Sequence, residues 1–240
     1  MRSWVMLYGV VSYALFCAVF VYFIGFVGGL GVSKSLATQS TEYSPYALVV
    51  NIGLLLIWGV QHSVMARGWF KDMISSMVPH QVERSTYVLA SSLVLAMLMI
   101  CWQPMNGIVW QITNKAAITL VWSVFALGWV VALLSTFLTN HFDLFGLRQT
   151  WLFFVNKTYT QVKFKERLFY QWVRHPMMLG LLVVFWSLPT MTIGNIVFSI
   201  GMSAYIFIGI YYEEKDLART LGRSYTDYQQ RTARILPTIY

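Results

Sequence analysis

Within the first 140 residues, four stretches run for 18 residues or more without a charged side chain. Trp4–Leu30 covers 27 positions, Tyr46–Ala66 covers 21, Ser85–Trp102 covers 18 and Ala116–Asn140 covers 25. A helix needs about 20 apolar residues to cross a ~30 Å hydrocarbon core, where its own hydrogen bonds must satisfy the backbone. Each run meets or approaches that length. Two more, Met177–Leu188 with 12 residues and Ile193–Tyr212 with 20, follow on either side of Pro189. At ~1.5 Å per residue the first of these covers only ~18 Å. It is either a shallow re-entrant arm or a span extended by residues such as Thr190–Ile193. The runs predict an all-α polytopic membrane protein with four full transmembrane helices and a C-terminal helical hairpin, five to six membrane segments in all. Residues 1–140 carry the four helices, and 141–240 carry a loop, the hairpin and a tail, within a single integrated domain.

The charges are sorted by side. Of the 17 Lys and Arg residues, only Lys34 and Lys115 fall in the first and third loops or the hairpin turn. The positive-inside rule then predicts that both termini and the 139–176 loop are cytoplasmic. The net charge of +8 follows from this asymmetry. Basic residues with Trp and Tyr at the rims suit an anionic leaflet, so the expected partner is the lipid bilayer and no nucleic acid. Only 11% of residues are charged and 58% are hydrophobic. A soluble domain carries about a quarter charged residues, and a disordered chain has low hydrophobicity, so both are excluded. The first run is too long for a signal h-region and lacks a small-residue cleavage pattern, which predicts a retained anchor. Cys17 and Cys101 stand isolated in apolar runs and predict neither a disulfide nor a metal site. Gly25 and Gly29 end a predicted span, so their spacing predicts close helix packing rather than a nucleotide loop.

The polar residues at the ends of the runs are the candidates for chemistry. His62 and His80 flank the second loop. They suit structural or substrate-lining roles, with haem ligation open as an alternative. Asn140-His141-Phe142-Asp143-Leu144-Phe145-Gly146-Leu147-Arg148 follows the fourth run directly. His141 and Asp143 form a candidate proton-handling pair, since a carboxylate favours imidazolium; helix-end chemistry is the alternative. Further on, Tyr170-Gln171-Trp172-Val173-Arg174-His175-Pro176-Met177-Met178-Leu179-Gly180 leads into the hairpin. Pro176 suits a helix's first turn. After the hairpin come Glu213, Glu214 and Asp216. A span ending at Tyr212 would crowd these acids against the negative end of the macrodipole. The helix is therefore expected to continue to about Leu221.

Arg174-His175-Pro176-Met177-Met178-Leu179-Gly180, the acids, and Gly222, Tyr225, Tyr228, Arg231 and Pro237 together resemble the membrane methyltransferase superfamily that includes isoprenylcysteine carboxyl methyltransferase. The resemblance covers roughly residues 165–237. It implies an S-adenosylmethionine site at Tyr170, Arg174, His175, Pro176, Met177, Met178 and Glu213, and no metal. Met178 stands where the family has tyrosine. Over the whole chain, including Gln61-His62-Ser63-Val64-Met65-Ala66-Arg67 and Asn140–Gly146, the sequence is more similar to bacterial methanethiol S-methyltransferases. It also resembles denitrification-associated membrane proteins without an assigned methyltransferase activity. Gly209 stands where the carboxyl-methylating branch places Arg, four residues before the cofactor glutamate.

The resemblance implies methylation of a small neutral thiol, methanethiol to dimethyl sulfide, with a carboxyl methyltransferase as the alternative. A free alkyl thiol is mostly protonated at pH 7, given a pKa of ~8.5 even for cysteine. A base is therefore expected, and His141 beside Asp143 is the candidate. A histidine-liganded redox protein and a non-catalytic membrane scaffold or transporter are the competing classes.

Overall fold

Residues 1–40, 44–162 and 166–236 are described by the structure, a computed structural model. Lys163, Lys165 and Pro237, which enter the charge count and the tail motif above, lie outside them. In chain order the elements are α1 (Arg2–Gly28), α2 (Ala47–Met65), α3 (Gly68–Ile74), α4 (His80–Cys101), β1 (Ile108–Gln111), α5 (Lys115–Thr139), α6 (His141–Leu144) and α7 (Leu147–Phe154). They continue with α8 (Phe169–Trp172), α9 (Pro176–Trp186), β2 (Thr190–Thr192), α10 (Ile193–Leu221) and α11 (Arg223–Arg231). Among the described residues, the five helices α1, α2, α4, α5 and α10 are long and apolar enough to cross a membrane. The protein is thus an all-α polytopic membrane protein, with four such helices followed by the α9–α10 pair.

The chain forms two compact units. Met1–Asn106 and Asn140–Lys163 make the first, in which α1 packs on α4 and α7, and α2 packs on α4. The α1 end is closed locally. Gly25 faces the Leu30 carbonyl and Val32 of the returning loop, and Gly29 caps the helix. The packing expected of this glycine pair is therefore against the chain's own turn and not against another helix.

Gly107–Thr139 and Phe164–Tyr240 make the second unit, in which α9 lies between α5 and α10. The eleven residues of α9 rise only ~16 Å, and the chain then runs extended into β2. Thr192 and Asn195 form a capping box at the start of α10, satisfying amides that a helix start leaves unpaired. The helix continues past Tyr212 to Leu221, as the clustered acids predict, and ends at Gly222, whose φ is +59°. The short β1–β2 antiparallel ladder pairs Trp110 with Met191. A four-residue strand, Ile-Val-Trp-Gln, gives too short a pattern to read against long helical runs.

α5 and α9 meet backbone to backbone. A Cβ on Gly180 would stand 2.6 Å from the Gly128 carbonyl oxygen and 2.7 Å from the Ala132 amide. Overpacking costs about 1–3 kcal/mol where side chains alone must shift, and here backbone blocks relief. Gly180→Leu is expected to lower the thermal midpoint in detergent sharply. Gly209→Leu, at a position with nothing within 4 Å of its Cβ direction, is expected to leave it nearly unchanged. Equal midpoints would refute this crossing.

Candidate functional site

Two polar clusters contain the residues singled out above other than His62 and His80. In the second unit, Pro176 occupies the first turn of α9 and His175 is its N-cap. The strand-like segment before it is held by the chain's own tail. Val173 forms a parallel bridge with Ala233. The Arg174 amide donates to the Ala233 carbonyl at 2.8 Å, and the His175 amide to that of Arg234 at 3.2 Å. Arg174 then completes the attachment with its side chain. Its Nε donates to Glu214 Oε1 at 2.7 Å, and its Nη1 donates to the carbonyls of Gln229, at 2.9 Å, and Thr232.

Glu214 is the centre of this cluster. Its side chain is only 6% exposed, facing Arg174 through Oε1 and Arg234 Nε through Oε2 at 3.1 Å. His175 Nε2 lies 3.2 Å from Glu214, and its Nδ1 lies 3.5 Å from Glu213. The two neighbouring glutamates differ in access, because Glu213 is 49% exposed. A buried carboxylate needs compensating charge and hydrogen bonds, and Glu214 has both. Glu213 and Arg234 instead keep open faces able to meet a ligand.

The tail tyrosines lock α11 into place. Tyr225 and Tyr228 are three apart and so share one helix face, and both are fully buried. The Tyr228 hydroxyl donates to the Tyr170 carbonyl at 2.5 Å. Arg231 pairs with Glu166 at 2.6 Å. Burial, followed by the charge of Glu213, pushes the Tyr170 phenol up to about 12, so it stays protonated and serves as a donor. Met177 and Met178 lie half-buried in the first turn of α9. The structure thus brings Arg174, His175 and Glu213 together, with Tyr170, Pro176, Met177 and Met178 on the same elements. Sequence reasoning did not single out Glu214 and Arg234.

The other cluster belongs to the first unit. α5 ends at Thr139, and the Asn140 side chain caps α6 by accepting the Asp143 amide at 3.1 Å. Gly146, at φ +87°, follows α6, and a Cβ there would stand 2.6 Å from the Ser85 amide. Only glycine allows this turn to sit so close to α4. Arg84 of α4 donates to the Leu144 carbonyl at 2.6 Å. His141 is buried, with Nε2 2.7 Å from the Tyr13 hydroxyl of α1. Its ring packs against Phe142 and Phe145, at centroid distances of 5.4 and 4.8 Å. Burial lowers its pKa below the usual imidazole value, so it is neutral and able to accept a proton at pH 7.

Asp143 does not pair with that ring. Its Oδ1 accepts from Arg148 at 2.7 Å and its Oδ2 from the Tyr159 hydroxyl at 3.3 Å. Arg148 also donates to the Thr160 carbonyl and hydroxyl, at 2.9 and 2.8 Å. Burial and then the Asp143 carboxylate raise the Tyr159 phenol. Asp143 therefore anchors the 155–162 segment, and it is Tyr13 that meets His141 Nε2. The remaining histidines diverge. His62 meets the Tyr87 hydroxyl at 2.8 Å and stacks on Trp58, whereas His80 is exposed beside Glu83.

Residues 50–239 match the model of the NnrU protein family. The chain is 45% identical over 238 residues to a methanethiol S-methyltransferase of Crocosphaera subtropica, covering 99% of this chain and 93% of that protein. It is 43% identical over 236 residues to a methanethiol S-methyltransferase of Mycobacterium tuberculosis, covering 98% and 97%. It is 42% identical over 239 residues to methanethiol S-methyltransferase 2 of Bradyrhizobium diazoefficiens, covering 100% and 92%. No solved structure matches the chain. With a family model spanning most of its length and relatives this similar from end to end, the chain belongs to the NnrU protein family and to the family of the methanethiol S-methyltransferases.

Proposed function

We propose that this protein methylates methanethiol, consuming S-adenosylmethionine and releasing dimethyl sulfide, S-adenosylhomocysteine and a proton. Likeness to methanethiol S-methyltransferases along nearly the whole chain carries this reading. The donor set at the start of α9 suits S-adenosylmethionine. Glu213, half-exposed, offers a carboxylate to a ribose diol or an ammonium group. Arg234, 54% exposed, offers a guanidinium to a carboxylate. Trp172, 66% exposed and three residues before His175, offers a ring face to a purine. Met178 contributes a thioether and no hydroxyl. When bound, S-adenosylmethionine supplies an electrophilic methyl group on a cationic sulfur.

The protein's own residues have the other tasks. His141, neutral at pH 7, takes up the proton that leaves the thiol. Arg174 and Glu214 keep His175 and Glu213 in place. Gly209 brings no guanidinium to recognise a carboxylate, which favours a small neutral thiol over prenylcysteine. The basic loops and tail support an inner-membrane orientation with both termini cytoplasmic. The hydrophilic cofactor then comes from the cytosol, and the permeable thiol from the bilayer.

Purified protein given methyl-labelled S-adenosylmethionine and a panel of thiols tests the reading. Labelled dimethyl sulfide should collect in the headspace above methanethiol, matched one to one by S-adenosylhomocysteine. A farnesylcysteine analogue should remain unesterified. Ester formation without any dimethyl sulfide would overturn the proposal.

A further inference from the structure

The Tyr13 hydroxyl stands over the nitrogen that the proposed chemistry needs. It lies 2.7 Å from His141 Nε2, and the two rings meet edge to face at 90°. The imidazole is only 6% exposed. Phe16 stacks on Phe145 at 4.1 Å, closing the same aromatic box. A thiol cannot reach Nε2 without displacing the hydroxyl. Tyr13 itself is more open than His141, and its oxygen keeps lone pairs to accept a further hydrogen bond. One helical turn along α1, the Cys17 thiol lies beside the same hydroxyl, so the surroundings already accommodate sulfur. α1 is also one of the helices of membrane-crossing length, which puts Tyr13 within reach of an apolar thiol dissolved in lipid.

Resting on the reading of His141 as the base, we infer that Tyr13 is a catalytic residue that relays the proton. The S–H bond breaks as its proton passes to the Tyr13 oxygen, and the tyrosine's own proton passes to His141 Nε2. A thiolate, an intact tyrosine and an imidazolium result. The imidazolium returns its proton to water after methyl transfer, so protons and charge balance without a further reactant. The charged groups on neighbouring elements are few among the described residues. Arg84 of α4 is bound to the Leu144 carbonyl, and Asp143 and Arg148 neutralise each other. Cys17 is the titratable neighbour on α1 itself.

The test uses the full chain in detergent, with initial rates of dimethyl sulfide formation at pH 7 and pH 9 and cofactor affinity by calorimetry. Tyr13→Phe should lose about 100-fold at pH 7, the scale of general acid–base catalysis. It should recover most of that at pH 9, where far more of the thiol is already ionised in solution than at pH 7, and bind S-adenosylmethionine normally. Tyr13→Phe combined with His141→Ala should be no slower than His141→Ala alone. 3-Fluorotyrosine at position 13, which preserves the fold and acidifies the hydroxyl, should shift the pH–rate profile. Normal rates for Tyr13→Phe alongside a pH-dependent loss for His141→Ala would overturn the relay and leave His141 as the base. Equal losses for Tyr13→Phe at both pH values, with an unshifted fluorotyrosine profile, would reduce Tyr13 to packing and also overturn the relay. Normal rates for His141→Ala would remove the base and the relay together.

Discussion

Arg174→Ala is expected to release the tail and abolish cofactor binding. The guanidinium is 4% exposed and joins Glu214 to the carbonyls of Gln229 and Thr232. Its loss leaves a buried carboxylate facing only His175 and a half-exposed arginine among its ionisable partners, and strands two carbonyls. Removing one partner of a buried ion pair costs about 3–5 kcal/mol, a large part of the 5–15 kcal/mol that typically separates folded from unfolded. Arg174→Lys should rescue only partly, because an ammonium lacks the planar fork that serves all three acceptors. Glu214→Ala should resemble Arg174→Ala. Glu213→Ala, one residue away but half-exposed, should keep the fold and lose only cofactor affinity. Thermal midpoint, protease sensitivity of the tail and S-adenosylmethionine calorimetry separate these outcomes. A normal midpoint and normal affinity for Arg174→Ala would remove it from this role.

His141→Ala should reduce dimethyl sulfide formation by about 100-fold or more at pH 7, the scale of a positioned general base. The sign of its pH dependence follows from burial. With its pKa held below the ordinary imidazole value, His141 is unprotonated at pH 7, and wild-type activity should fall only on the acid side of that value. The variant should regain rate towards pH 9, as the thiol ionises without help. Asp143→Asn should show a smaller loss. Its carboxylate holds Arg148 and Tyr159, so the change loosens the 155–162 segment and does not remove a partner of the imidazole. An equal deficit for His141→Ala at both pH values would argue against proton transfer.

The membrane helices were legible because charge is excluded from them, a signal that accumulates over 20 residues. The limit at Leu221 was legible too, since acids sit badly at a helix C-terminus. The β1–β2 ladder was not, being too short to show a period. Around the candidate cofactor site, Arg174 and His175 stood out as a motif, but the division of labour between Glu213 and Glu214 did not. Successive helical residues point about 100° apart, and no sequence signal fixed which carboxylate turned inward. Tyr13 was hidden for another reason. It lies inside an uncharged run, 128 residues from His141, and apolar context gives no hint that a hydroxyl has a distant partner.

The attachment of residues 229–234 to the start of α9 has a consequence for biogenesis. Arg174 enters the nascent chain 58 residues before Thr232. At about 5–20 residues per second, ribosomal synthesis leaves an interval of roughly 3–12 s between them. During that time the guanidinium must wait near the bilayer without the carbonyls that later hold it, and Glu214, once made, waits without Arg234. The apolar helices can insert in order as they emerge, whereas this polar knot closes only once the tail has been made. Ribosome stalling within residues 215–230 should therefore yield an inserted but knot-free intermediate, which membrane quality control would meet before any cofactor could.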